Sequence, residues 1–330
     1  MSKTNSRVPM KGKCITRAKV PKKLFKSEYT YLDQLTGISI ELPTEIIQLP
    51  SQGIGGQLHI GNVVHKGSIS YVFEARFIID GEEHEVIAKI SYIIVIGTKT
   101  SSWRYNCNLN ESINYSALER KKQDGCISDE LILPKYYGYW DIEPLSILLI
   151  QKFGSSLDRI EPGLFSKSII YSYARQLILL LERLHTEAKM VHIDIKPSNI
   201  TIIDDKDMEH VTLVDYGLSH SMDMLLLFGM KESNYKREFT GTLNFAPIKA
   251  HRSQIASAGW DFESLAYTLN KLLFGELPWE VDGISLVDNH HYFITMKEAF
   301  ISSDLNIQAL LEESRKDNID YGRLKTLFKP

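Results

Sequence analysis

The sequence predicts an α+β chain built as two lobes, and three observations carry that expectation. Between about Leu58 and Ile150, short runs alternate apolar and polar residues with turn residues between them, the period of half-buried strands. Past Gly154 the apolar residues recur at helical spacing instead. The 330 residues are enough for two lobes, or for one large domain with a tail. A cleft is expected between two such portions, and clefts of that kind favour ligands.

Taken in order, Val63-Val64, Tyr71–Ala75 and Glu85–Ile90 read as strands, with Asp80-Gly81 as the hairpin turn between the last two. Residues Leu109–Lys122 have helical spacing, and Tyr136–Trp140 and Ser146–Ile150 are two further strands. Ser166–Thr186 is a strong helix, with Ile169, Tyr173, Leu177, Leu180 and Leu184 on one face. Asp261–Phe274 is another, stopped by Gly275 and Pro278.

Apolar and charged contents of 43% and 24% are ordinary for a globular chain, and a net charge of −3 offers no broad basic field for nucleic acid. Residues 1–27 differ: nine Lys or Arg and no acid. They read as a disordered basic arm, either a solvated tail or a nuclear-import or anion-docking element, and nothing in the sequence supports a contact with nucleic acid or chromatin. Cys14, Cys107 and Cys126 show no metal spacing and suit a reducing compartment. The longest apolar runs, such as Leu145–Ile150, are far short of a membrane span. No apolar stretch of signal-peptide type opens the chain. These features predict a soluble intracellular protein with no membrane partner; residence in the nucleus or cytoplasm and a monomeric state are separate expectations.

The segment Val191–Asn199 sets Asp194, Lys196 and Asn199 at the spacing D-x-K-x-x-N. Phosphoryl transfer needs a carboxylate to orient and deprotonate a hydroxyl, a cation on the γ-phosphate and an oxygen ligand for Mg²⁺. A polar turn after a helix would also place Asp and Asn here. Sixteen residues past Asn199, an apolar strand ends in Asp215-Tyr216-Gly217, where Asp215 suits a second Mg²⁺ ligand. Alone, that turn is as readily structural; two such segments in this order are far more specific.

With these motifs the chain resembles the protein kinase family, and within it the casein kinase 1 group and its vaccinia-related branch. His192–Asn199 matches the catalytic loop, and Asp215-Tyr216-Gly217 is similar to the D-F-G motif with that branch's Tyr. Gly241–His251, Asp261–Tyr267, Leu277-Pro278-Trp279 and Ile319–Phe328 resemble later segments of the same domain. The resemblance implies a bilobal kinase fold over residues 58–328, after an extension over 1–57. It implies an N-lobe of about 58–150, a hinge at 151–154 and a C-lobe of about 155–328. ATP, Mg²⁺ and a protein substrate with a Ser or Thr acceptor come with it.

The resemblance also casts the first lobe's residues. Val64–Val72 can be laid on the glycine-rich loop, but only Gly67 survives of three glycines, with His65 and Ser70 at the others. Lys89 matches the strand lysine that holds the α- and β-phosphates, and Glu111 its helix partner. A lone Glu on a helix is otherwise a solvated side chain. Gln151 and Phe153 would bond the adenine edge through their backbone, Ile150 would be the gatekeeper, and Val64, Val72 and Val214 would sandwich the base. Asp261 would accept backbone N–H groups of the catalytic loop, while Ser264 and Tyr267 read as core. Ile193 stands where many kinases carry Arg, and apolar residues of Met222–Phe228 could pack the activation segment without a phosphate.

The functional expectation is an active Ser/Thr protein kinase. The alternative is a pseudokinase scaffold, supported by the eroded glycine loop and by Thr201, which falls where the family has an apolar residue. A small-molecule phosphotransferase is a third reading, against which Gly241–His251 speaks. Because a Cβ keeps backbone donors away from phosphates, restoring glycine with His65→Gly and Ser70→Gly should lower KM for ATP. An unchanged or higher KM in steady-state kinetics would show that those side chains make contacts of their own.

Overall fold

The computed structural model describes residues 14–15, 32–42, 55–67, 70–92, 95–96, 99–100, 103–142, 145–161, 165–225, 239–280 and 289–329. Most of the basic arm, Ser68 and Ile69 of the glycine loop and 226–228 of the activation segment lie outside them. Two compact units emerge: one from residues up to Ile113 with Lys135–Lys152, the other from Asn114–Pro134 with Phe153 onward.

The first unit is a sheet. Its strands are β1 (Cys14–Ile15), β2 (Ser39–Leu42), β3 (Gly56–Lys66), β4 (Tyr71–Ile79) and β5 (Glu82–Tyr92). A small separate hairpin, β6 (Val95–Ile96) and β7 (Lys99–Thr100), precedes β8 (Tyr136–Ile142) and β9 (Leu145–Gln151). The order is β1-β2-β3-β4-β5-β9-β8. Asp80 and Gly81 turn between β4 and β5 with φ of 49° and 87°, the doubly positive pattern that matches strand twist. Alternation drives Phe73, Ala75 and Phe77 of β4 into one core with Val86, Ala88 and Ile90 of β5.

The sheet begins earlier than the expected boundary at 57/58. Strand β2 pairs with β3 from Ser39↔His59 to Leu42↔Gly56. Leu32, Leu35, Ile40 and Leu42 are buried in the same core, so burial of this apolar run draws it into the sheet.

Helix α1 (Trp103–Gln123) starts six residues before the expected Leu109, and the unit boundary falls inside it, between Ile113 and Asn114. Residues Asn114–Pro134, expected in the N-lobe, belong to the second unit through specific polar ties. Lys121 Nζ donates to the Ala188 carbonyl at 2.5 Å, Ser128 N to Glu187 Oε2 at 2.8 Å, and Thr212 Oγ1 to the Ile132 carbonyl at 2.6 Å.

In the second unit, α2 (Lys167–Thr186) opens on Ser166, whose hydroxyl accepts from Ile169 N. The short β10 (Met190–Val191) leads into the loop His192–Asn199, and β11 (Ile200–Asp204) and β12 (Asp207–Leu213) form the hairpin after it. Strand β13 (His220–Ser221) pairs back on β10. After the one-turn α3 (Ile248–His251) comes α4 (Ala258–Phe274), the central helix, buried continuously from Gly259 to Asn270 and capped by Gly275 at φ 86°. Helices α5 (His290–Ala299), α6 (Leu305–Ser314) and α7 (Tyr321–Leu324) complete the unit. The expectation of an α+β chain, sheet first and helices after, holds.

Candidate active site

The loop His192–Asn199, the candidate catalytic loop, is hung from one carboxylate. Asp261, fully buried in the first turn of α4, accepts His192 N at Oδ2 and Ile193 N at Oδ1, both at 2.7 Å. His185 Nε2 lies 2.9 Å from Oδ2. Thus held, Ile193 adopts φ 75°, a conformation that a β-branched residue avoids. Its side chain is buried with Val191, Leu225, Ala246, Ala250 and Trp260, and Leu218, Met222 and Phe239 pack against that cluster.

The turn at Ile193 presents Asp194, which gathers three partners. Lys196 Nζ is 2.7 Å from Oδ2, Thr242 Oγ1 donates to Oδ1 at 2.7 Å, and Asn199 Nδ2 donates to Oδ2 at 3.1 Å. Lys196 Nζ also donates to Thr242 Oγ1 at 2.9 Å. Asn199 Nδ2 donates to the Asp194 carbonyl at 2.9 Å as well. With its amide nitrogen so engaged, Asn199 keeps Oδ1 as an oxygen ligand.

The β11/β12 hairpin sets Asn199 and Asp215 at the same end. Its last pair is Ile200↔Leu213, and Val214 N donates to the Asn199 carbonyl at 3.0 Å. Asp215 follows at φ 66°, with Oδ1 accepting from Gly217 N at 3.4 Å. One carboxylate and one amide oxygen fit Mg²⁺, which takes few protein ligands and completes its shell with phosphate and water. Asn114 of α1 holds this turn by donating to the Tyr216 and Ser219 carbonyls at 2.8 and 2.9 Å.

In the first unit, Lys89 of β5 lies between Val72 of β4 and Leu148 of β9 in register. Its Nζ contacts both oxygens of Glu111 at 2.7 and 2.8 Å, with both residues buried. Asn108, one turn before Glu111, donates to Ser91 Oγ at 2.9 Å, and Ser112 meets the Tyr136 hydroxyl at 2.8 Å. Helix α1 is therefore pinned to the sheet on both sides of Glu111. Gly67 N donates to the Ser70 carbonyl at 3.1 Å, and a Cβ on Gly67 would come within 2.8 Å of that oxygen. Val64 sits on β3 and Gln151 ends β9, where its N donates to the Lys135 carbonyl. Phe153 is the first residue past the boundary between the units.

Asp194, Lys196 and Asn199 thus share one network, and Lys89 and Glu111 form one pair. Sequence reasoning passed over Thr242, Asn108, Ser112 and Asn114. The signal for Thr242 was its place in the family-like segment Gly241–His251, and that for Ser112 and Asn114 their place in Leu109–Tyr115, which is similar to the same branch; nothing local marks Asn108.

Tyr216 has its ring edge-on to Tyr115 at 5.3 Å and 4.9 Å from His192, and its buried hydroxyl finds no hydrogen-bond partner among the described residues. Burial, then the Asp261 charge, pushes that phenol far above its usual range. An unsatisfied buried hydroxyl costs about 1–3 kcal/mol. Tyr216→Phe should therefore raise unfolding stability by about 1 kcal/mol in a urea titration. A loss of stability would show that the hydroxyl has a partner.

A sequence model of the protein kinase domain matches residues 139–317, more than half of the chain. The chain is 30% identical over 169 residues to serine/threonine-protein kinase VRK2 of Homo sapiens, covering 49% of this chain and 32% of that protein. It is 29% identical over 208 residues to probable serine/threonine-protein kinase FPV212 of Fowlpox virus (strain NVSL), covering 61% and 65%. Serine/threonine-protein kinase VRK1 of Caenorhabditis elegans is 26% identical over 267 residues, covering 75% and 43%. The chain thus spans less than two thirds of these relatives' lengths. The structure of vaccinia related kinase 3 shares the fold at a TM-score of 0.62 and 19% identity, covering 92% of this chain and 94% of that one. On the kinase-domain match and the motifs that fall within it, the chain belongs to the protein kinase family and is like its vaccinia-related kinases.

Proposed function

We propose that the chain is an ATP-dependent Ser/Thr protein kinase. The observation that carries this reading is the network on Asp194, a carboxylate oriented by Lys196, Thr242 and Asn199 together. Asp194 takes the proton of an acceptor hydroxyl as its oxygen bonds to the γ-phosphorus, while the bond to the bridging oxygen of ADP breaks. Lys196 balances charge on the moving phosphoryl group. Lys89, aimed by Glu111, holds the α- and β-phosphates. Asn199 and Asp215 would hold Mg²⁺, which supplies charge compensation on the phosphate oxygens. Val64, Gly67, Val72, Gln151, Phe153 and Val214 are assigned to the nucleotide.

The names of the relatives, all Ser/Thr kinases, support the choice of acceptor. The scaffold alternative draws on the glycine loop and Thr201, and neither removes a group that transfer needs. Among the described residues no helix is long and apolar enough to cross a membrane. Residence in the nucleus or cytoplasm and a monomeric state belong to the same proposal.

The test is incubation with labelled ATP, Mg²⁺ and casein or histone. Wild type should label the acceptor, and Asp194→Asn should lose about 10²–10⁴ in kcat, while Mg·ATP still raises Tm. Asp215→Ala should abolish that Tm increment, which at a hundredfold over Kd corresponds to about 2.7 kcal/mol. Retention of more than about a tenth of kcat in Asp194→Asn would remove this role from Asp194.

A further inference from the structure

Lys297 of α5 is fully buried, which lysines almost never are unless paired. Its Nζ stands over three rings, 5.1 Å from the centroid of Tyr267 and 5.2 Å from those of Trp279 and Phe293. Such a cage favours a cation. The ammonium has three N–H donors and three acceptors to meet them: the Leu243 carbonyl at 2.7 Å, the Ala246 carbonyl at 2.6 Å and His251 Nε2 at 3.0 Å. Burial pulls the lysine well below its ordinary range, and the Glu263 charge opposes this. His251 is itself pulled down to about 3, by burial first and then by the charge on Lys297. A neutral His251 accepts at Nε2 and leaves Nδ1–H for His290 Nδ1, 3.1 Å away.

Both carbonyls belong to one turn. Thr242 O accepts from Phe245 N at 2.9 Å and Ala246 N at 2.7 Å, and the Asn244 carbonyl accepts from Trp279 Nε1 at 2.8 Å. The same turn begins with the hydroxyl that bridges Asp194 and Lys196. A methionine would fill the cage without the desolvation cost of an ammonium. What a methionine cannot offer is the clasp on two carbonyls.

We propose that Lys297 is a positioning residue for the transfer reaction: it clasps the Leu243–Ala246 turn and so keeps Thr242 against Asp194 and Lys196. The inference rests on the phosphotransfer reading above. It assigns to α5, some hundred residues past the catalytic loop, control over the geometry of the catalytic carboxylate. Small displacements of such groups cost about 10²-fold in rate.

The experiment compares wild type, Lys297→Met, Thr242→Ala and the double variant for kcat with a protein acceptor, for Mg·ATP affinity and for amide exchange. Lys297→Met should lower kcat about 10- to 100-fold and leave Mg·ATP affinity within threefold. Exchange at the Phe245 and Ala246 amides should rise at least tenfold, with β5 amides unchanged. The double variant should be no slower than the slower single, because both act through one contact. Unchanged exchange at Phe245 and Ala246, multiplicative losses in the double variant, or a parallel loss of nucleotide affinity would each overturn the proposal. If Lys297→Met does not fold, Trp279→Phe takes its place. It keeps a ring over the lysine while removing the donor to Asn244 and part of the buried indole, and it should show the same pattern at about 3- to 10-fold. An inactive wild type would sink the phosphotransfer reading, whereas the exchange data would still decide the clasp.

Discussion

Two backbone N–H groups on one buried carboxylate fix the loop that carries Asp194. The αL conformation of a β-branched residue such as Ile193 costs about 1–3 kcal/mol. Hydrogen bonds to a charged acceptor return about 1.5–3 kcal/mol each, and Asp261 accepts two from the loop. The anchor therefore outweighs the strain it imposes. Asp261 sits in the first turn of α4, where a negative charge also favours the helix. The position of Asp194, and with it that of Lys196 and Thr242, follows from this attachment.

The second constraint is apolar. Where many kinases place Arg beside the catalytic Asp to receive a phosphate, Ile193 is buried among Leu225, Ala246, Ala250 and Trp260, with Met222 and Phe239 against it. Residues of the expected activation segment thus meet the loop at Ile193 through burial of apolar surface, worth about 25 cal/mol per Å². No charge has to be added to make these contacts. A phosphate brought to this cluster would find neither donor nor cation in Ile193, and its desolvation would be unfavourable.

The parts of the site that were legible in the sequence are those whose chemistry is local. Asp194, Lys196 and Asn199 lie within six residues of one another, and the Asp80-Gly81 turn is specified by its own two residues. Lys89 and Glu111 could be paired because a strand end and a helix were each readable, although their meeting needed the family resemblance. The rest depends on tertiary neighbours. Thr242 is an ordinary hydroxyl until the fold brings it 2.7 Å from Asp194. Nothing in the sequence marks Lys297, and only the cage of Tyr267, Trp279 and Phe293 makes it a buried cation. The early strand Ser39–Leu42 follows a basic arm whose composition masks it, and the four apolar residues Leu32, Leu35, Ile40 and Leu42 decide its place by burial.

If internal contacts at Ile193 and Asp261 hold the catalytic loop ready, the phosphorylation state of the chain should not control its turnover. Initial velocity can be measured on untreated protein and on protein fully dephosphorylated by a phosphatase, with intact mass confirming the removal and a brief assay limiting re-phosphorylation. The account predicts equal initial velocities. Loss of most of the velocity in the dephosphorylated protein would contradict it.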